Sequence, residues 1–161
     1  MRTDSGIRGF AASLGRGLMA GAIGTAAMTV SSTLEAKARG REASTAPADA
    51  AMKVLGIDGF CDEGAKSRFS NIVHWGYGTS WGLPRALLER AGLRPAAATA
   101  AHGAALWGSE QVMLPALSVA PPITSWGREE VAIDVFHHAV YAVATGLAYE
   151  LVSAGRRNGA R

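Results

Sequence analysis

Eighteen consecutive residues carry no Lys, Arg, Asp or Glu: GLMAGAIGTAAMTVSSTL, residues 17–34, between Arg16 and Glu35. A helix needs ~20 apolar residues to cross a hydrocarbon core, so this stretch is close to the length of a membrane span. A surface helix of a soluble protein presents a charged face to water, and this stretch has no such face. The stretch therefore predicts a helix that is surrounded by apolar matter.

Three more windows of low charge follow along the chain. Pro115 limits the third window, because a proline inside a helix removes a backbone hydrogen bond. Arg156 and Arg157 follow the fourth. We predict an all-α fold in one helical membrane domain over residues 1–161: a four-helix transmembrane bundle with a short interfacial helix in the first loop. The predicted spans are about 17–34, 69–84, 95–113 and 130–152.

The long first connection, residues 35–68, is polar and mixed in charge. Within it, Ser44-Thr45-Ala46-Pro47 is typical of a helix start, because proline is favoured in the first turn. We predict a short helix from Pro47 to Leu55 at the membrane interface.

The composition leaves one alternative to a membrane protein open. Hydrophobic residues make up 48% of the 161 residues and charged residues 18%, with a mean hydropathy of +0.12. These values exclude a disordered chain, but the Ala- and Gly-rich helices of a soluble four-helix bundle would give similar ones. The net charge of +3 comes without a basic stripe, so we expect no nucleic-acid partner. The single cysteine, Cys61, excludes an internal disulfide.

Basic residues near the chain ends predict the orientation. Arg2, Arg8 and Arg16 precede the first span, but the apolar run is longer than the roughly 7 to 15 residues of a signal peptide. We therefore expect a retained helix. Four spans place both termini on one side with nine basic residues, against seven on the other. The positive-inside rule then predicts a multi-pass protein of the bacterial inner membrane with cytoplasmic termini.

Titratable side chains at membrane depth are costly and mark functional sites. The candidates are His74, His102, Glu110, Asp134, His137 and His138, with Tyr141 close behind them. A rise of ~1.5 Å per residue places four of these in one half of the bundle: His74, Glu110, Asp134 and His138. His102 lies near the middle. Groups at similar depth can satisfy one another, so we expect carboxylate–imidazole pairing.

Asp134 and His138 share a helix face because they are four residues apart. A carboxylate beside an imidazole fixes its tautomer and raises its basicity, as a metal ligand or a proton acceptor requires. Carboxylate-bridged metal bundles carry a Glu-x-x-His repeat that is missing here, so we assign no metal and no cofactor. Hydrogen bonding that only holds helices together is the remaining interpretation.

Small residues recur at four-residue intervals: Gly17, Gly21, Thr25 and Thr29 in the first span, and Gly78 and Gly82 after His74. Such residues let helix backbones approach closely, as in GxxxG packing. We predict helix packing at the four glycines. We also expect the Gly17/Gly21 face to mediate a homo-oligomer.

Several segments together resemble a known family. They are Gly17 to Thr29, His74-Trp75-Gly76-Tyr77-Gly78, His102 through Trp107 and Glu110 to Pro115, and His138 to Tyr141. In these segments the chain resembles the YagU-like bacterial inner-membrane proteins. The resemblance implies a small multi-pass helical protein in a family without an established activity, and it carries over no catalytic residue.

We therefore expect a membrane protein with a proton-linked or acid-tolerance role through its buried histidines and carboxylates, and we do not expect an enzyme. The lipid bilayer is its first expected partner, and a larger membrane complex the second. The alternative is a metal-binding or structural subunit of such a complex.

Overall fold

The computed structural model describes residues 2–42 and 44–159. Over these residues the chain forms six α-helices and one 3-10 helix without a β-strand, which confirms the all-α fold. The helices are α1 (Arg2–Arg39), α2 (Ala46–Leu55), α3 (Glu63–Ser80), α4 (Gly82–Arg90), α5 (Pro95–Ala116) and α6 (Arg128–Gly159); the 3-10 helix is Ile123–Ser125.

The first connection contains the short helix that we predicted from Pro47 to Leu55, now α2. Pro47 lies in the first turn of α2, and Gly56 ends this helix with a left-handed φ of 66°. Asp62 caps the next helix, α3, because its Oδ1 accepts a hydrogen bond from the Ala65 N–H at 2.6 Å.

The second predicted span, 69–84, falls on two consecutive helices and not on one. α3 ends at Ser80 and α4 begins at Gly82, with Trp81 between them. Pro84 explains the break, because proline has no N–H to donate and its ring crowds the carbonyl four residues earlier. α3 also begins before the predicted span, since the cap at Asp62 starts it at Glu63.

α1 packs along α6 in the antiparallel direction. Ser13 Oγ on α1 lies 2.9 Å from Tyr149 Oη on α6. Eighteen residues later on α1, Ser31 Oγ lies 2.8 Å from His137 Nδ1, which precedes Tyr149 on α6. The two helices therefore run side by side in opposite directions over most of their length.

α5 packs against α6 and also contacts α4. Gly146 of α6 faces the Thr99 side chain, and Gly103 of α5 faces the Ala142 Cβ. The chain thus forms a helical bundle with four rows: α1, α3 continued by α4, α5, and α6.

Glycine lets α1 touch its neighbours backbone to backbone. A Cβ at Gly21 would lie 2.9 Å from the Gly82 nitrogen, and one at Gly78 would overlap the Thr25 side chain. Gly17 meets Gly82 in the same way. α4 of the same chain covers the face of Gly17 and Gly21, and a homo-oligomer stays a prediction.

Two helical segments are long and apolar enough to cross a membrane: Gly6–Arg39 and Arg128–Gly155, in which an 18-residue window has a mean hydropathy of 1.2 and 1.4, respectively. Their outward faces carry large apolar side chains. These are Leu18, Met19, Ile23, Val30 and Leu34 on α1, and Val135, Phe136, Val143, Leu147 and Leu151 on α6. α3 and α5 do not reach this hydropathy over a span's length, so four membrane crossings remain a prediction.

Candidate functional site

His138 is hydrogen-bonded through both ring nitrogens. Its Nδ1 lies 2.8 Å from the backbone oxygen of Asp134, and its Nε2 lies 2.7 Å from Glu110 Oε2. A carbonyl oxygen only accepts, so Nδ1 carries a hydrogen. The bond between Nε2 and Glu110 then requires a further proton, which either an imidazolium or a carboxylic acid supplies. Glu110 and His138 therefore hold one proton between them.

Asp134 lies on the other side of the His138 ring. Its Oδ2 accepts hydrogen bonds from Trp107 Nε1 at 2.7 Å and Gln111 Nε2 at 3.4 Å, and its Oδ1 lies 3.5 Å from His138 Nδ1. Trp107 and Gln111 are neutral donors, so they orient the carboxylate without cancelling its charge. We name Trp107, Glu110, Gln111, Asp134 and His138 the histidine–carboxylate cluster.

The carboxylates of the cluster are partly exposed to solvent, whereas its imidazole is buried. The side chain of His138 is 6% exposed, whereas those of Glu110 and Asp134 are 18% and 26% exposed. Water therefore reaches the carboxylates, and a proton can enter through Glu110 and be held against a buried ring.

The side chain of His137, the neighbouring residue, contacts α1 instead. Its Nδ1 lies 2.8 Å from Ser31 Oγ, and the Ser31 hydroxyl donates to the Met28 carbonyl. A hydroxyl has one proton, so Nδ1 must be the donor when both bonds form. His137 Nε2 is buried and lies 3.7 Å from Glu35 Oε2. Consecutive helix positions differ by about 100° in direction, which sends the two rings to different helices.

His74 also lies against α1. Its Nε2 is 2.8 Å from Thr29 Oγ1, and the Thr29 hydroxyl donates to the Thr25 carbonyl, so Nε2 is the donor toward Thr29. We expected His74 to pair with the carboxylates at similar depth. The structure does not bring it to them, because its ring faces the polar side of α1 and not α5.

His102 and Tyr141 occupy the middle of the bundle. His102 Nε2 donates to the Trp81 carbonyl at 2.8 Å, and the Tyr141 hydroxyl donates to the Gly78 carbonyl at 2.6 Å. Their ring centroids are 5.7 Å apart. Tyr141 thus fixes the position of α3, and His102 fixes the junction between α3 and α4. The break at Trp81 leaves the carbonyl to which His102 donates.

The geometry gives no support to a metal site. Within residues 2–42 and 44–159, no group of three or more His, Cys, Asp or Glu side chains could hold a metal ion. His138 uses both ring nitrogens in hydrogen bonds, so neither has a lone pair free for a cation while its proton is bound.

A second polar cluster, which we did not predict, lies toward the other end of the bundle. Arg85 is fully buried, and its Nη2 donates to Glu150 Oε1 at 2.7 Å. The guanidinium carbons of Arg85 and Arg16 lie 4.8 Å and 5.9 Å from the centroid of the Tyr149 ring. We name Arg16, Arg85, Tyr149 and Glu150 the arginine–tyrosine cluster. Arg85 falls in the connection between the predicted spans 69–84 and 95–113, but it follows Gly82 by about one helical turn and so shares its packed face.

An apolar layer lies between the levels of the two clusters. Arg16 and Glu35 are separated on α1 by about 28 Å of helical rise, and Asp134 and Glu150 on α6 by about 24 Å, at ~1.5 Å per residue. Between these levels α1 and α6 expose no charged side chain. This thickness is close to the ~30 Å of a bilayer hydrocarbon core.

Trp107 and Gln111 are cluster members that sequence reasoning missed. They are four residues apart and flank Glu110, so their spacing predicts a shared face beside it. Ser31 and Thr29 carry no such signal, because serine and threonine inside helices often only bond to the preceding turn.

No protein-family model matches the sequence, and no curated protein or solved structure matches the chain.

Proposed function

We propose that this chain is a multi-pass membrane protein that binds a proton between Glu110 and His138 and responds to acid. The observation that carries the proposal is the double hydrogen bonding of His138, to a carbonyl through Nδ1 and to a carboxylate through Nε2. The second bond requires a shared proton. When that proton leaves, a neutral imidazole and an ionised carboxylate face each other with lone pairs only. Deprotonation therefore costs His138 one of its two hydrogen bonds: the link from α6 to Glu110 on α5, or the bond to the Asp134 carbonyl if the ring changes tautomer to keep that link.

The apolar layer between the two clusters supports a membrane location. Within it the large exposed side chains of α1 and α6 are apolar, and charged residues lie at its two edges. α2 lies outside this layer and exposes Val54 and Leu55, which are 69% and 63% exposed, as an interfacial helix would. We propose four crossings, made by α1, by α3 with α4, by α5 and by α6. The resemblance to the YagU-like proteins favours the same location.

The proposed orientation determines which side of the membrane the proton-binding site faces. With cytoplasmic termini, the arginine–tyrosine cluster lies on the cytoplasmic side, where basic residues are favoured. The histidine–carboxylate cluster then faces the opposite side of the inner membrane. A proton site on that face samples the external pH and not the buffered cytoplasm.

The bundle interior favours an acid response over proton transport. The buried His102 and Tyr141 each donate to a backbone carbonyl, which cannot pass a proton on. In the part of the chain that the structure describes, no hydrogen-bonded relay of titratable groups leads from His138 to the arginine–tyrosine cluster. The proton therefore enters and leaves from one side.

The test uses the full chain in lipid nanodiscs, with ring ¹⁵N signals of the histidines followed from about pH 5 to pH 8. We expect His138 Nδ1 to stay protonated throughout, and Nε2 or the Glu110 carboxyl to lose its proton as the pH rises. Glu110→Gln removes this step, whereas Glu63→Gln, whose side chain is 93% exposed, leaves it in place. A His138 signal that is the same in Glu110→Gln as in the wild type would contradict the proposal.

A second measurement separates response from transport. Proteoliposomes loaded with a pH dye should show no proton leak above protein-free vesicles. A leak that Glu110→Gln abolishes would overturn the one-sided site and indicate a proton pathway.

A further inference from the structure

We propose that His137 and Glu35 form a second proton-binding site, which fastens the end of α1 to α6 in acid. The inference rests on the proposed function, because it adds a second proton to the same acid response. Its residues are different, however: Glu110 and His138 join α5 to α6, whereas Glu35 and His137 join α1 to α6.

The donor pattern leaves His137 one nitrogen to protonate. Nδ1 donates to Ser31, so the neutral ring has its lone pair on Nε2. That nitrogen is buried without a hydrogen-bond partner and faces the Glu35 carboxylate at 3.7 Å. A lone pair directed at a carboxylate gains nothing, whereas an N–H there becomes a charge-assisted donor. The geometry is therefore complete only when His137 is a cation.

The charged groups around His137 come from both helices. On α1 they are Glu35, Arg39 and Arg41, and on α6 they are Glu129, Asp134 and His138. Both arginines bind Glu35, through Arg39 Nε at 3.5 Å and through a hydrogen bond from Arg41, and Arg39 Nη1 also lies 3.1 Å from Glu129.

The charges of these groups sum to one negative charge. Arg39 and Arg41 are paired with Glu35 and Glu129, whereas Asp134 accepts its hydrogen bonds from the neutral Trp107 and Gln111. The carboxylates thus outnumber the guanidinium groups by one, and the Glu110–His138 pair is neutral overall while it holds its proton. A proton on His137 therefore balances the local charge. Because His137 and His138 are adjacent, a full positive charge on both rings is less favourable than on either ring alone.

The test assigns each histidine in the full chain in nanodiscs by its own variant, His137→Gln or His138→Gln. We expect the His137 ring to pass from neutral to cationic on acidification from about pH 8 to pH 5. Glu35→Gln should weaken or abolish this step, since it removes the facing charge. Glu42→Gln, an exposed carboxylate on the same segment, should leave the step unchanged.

Failure of this inference is distinct from failure of the proposed function. A His137 ring that stays neutral down to the pH of unfolding, or that titrates identically in Glu35→Gln, would overturn the second site alone. A step at His137 that survives in Glu110→Gln supports it independently of His138. A wild-type chain with the His137 step but without a His138 step would overturn the first site and retain this one.

Discussion

Gly82 on α4 lies so close to Gly17 on α1 that a Cβ on either residue would overlap the carbonyl oxygen of the other. Two helix backbones meet here without a side chain between them. The contact is within one chain, and it lies next to the break at Trp81, where α3 gives way to α4. Glycine at both positions therefore sets how α4 is placed beneath α1.

Gly82→Ala should destabilise the bundle by about 1–3 kcal/mol, because the added methyl meets rigid backbone and not a flexible side chain. Thermal or denaturant unfolding in a mild detergent measures the change. Gly76→Ala is the matched control on α3, where a Cβ meets nothing within 4 Å. It should be neutral or slightly stabilising, since alanine favours helix over glycine. Equal effects of the two substitutions would contradict the close crossing.

Arg85→Met should destabilise the chain by about 2–3 kcal/mol, because it leaves Glu150 without its buried partner. The side chain of Glu150 is 30% exposed, so water limits the loss. The double variant Arg85→Met with Glu150→Gln should lose less than the sum of the two single changes. Additive losses in this double-mutant cycle would show that the two side chains do not interact. Arg94→Met, at an exposed position, serves as the control.

Val143→Arg should impair membrane integration, because Val143 is 52% exposed in the middle of the apolar layer on α6. A charge at that depth costs about 2.5–3.5 kcal/mol on insertion scales. The wild type should stay in the membrane pellet after carbonate extraction, and the variant should be partly released or degraded. Val54→Arg, on α2 outside the layer, should behave as the wild type. A wild-type chain recovered in the soluble fraction would favour the soluble bundle instead.

The cap at Asp62 predicts a pH dependence at the start of α3. The Ala65 N–H bonds to the carboxylate and holds the pKa of Asp62 below its ordinary value of 3.8. Because the folded pKa is lowered, the cap stabilises α3 above the unfolded pKa and loses this effect as the pH falls through the folded value. Asp62→Ala should speed amide exchange at Ala65 near neutral pH, and the difference from the wild type should vanish in strong acid. Asp58→Ala should leave that exchange unchanged.

The local features of this chain were readable from its sequence because their causes are local. A charge-free run such as residues 17–34 predicts a helix in apolar surroundings wherever the rest of the chain lies, and Pro47 starts α2 through its own ring. The spacing of Asp134 and His138 likewise follows from one helical turn, so their shared site was predictable.

Tertiary structure alone decided which helix each polar side chain meets. His137 and His138 are neighbours in sequence, yet one faces Glu35 on α1 and the other Glu110 on α5. Arg85 lies in the predicted connection in the sequence but is buried against Glu150, because α4 is helical there and packs into the bundle. The physical reason is that hydrogen bonds within a helix fix its axis but not its rotation. That rotation is set by side-chain packing between helices, such as Gly17 on Gly82, which no single segment encodes.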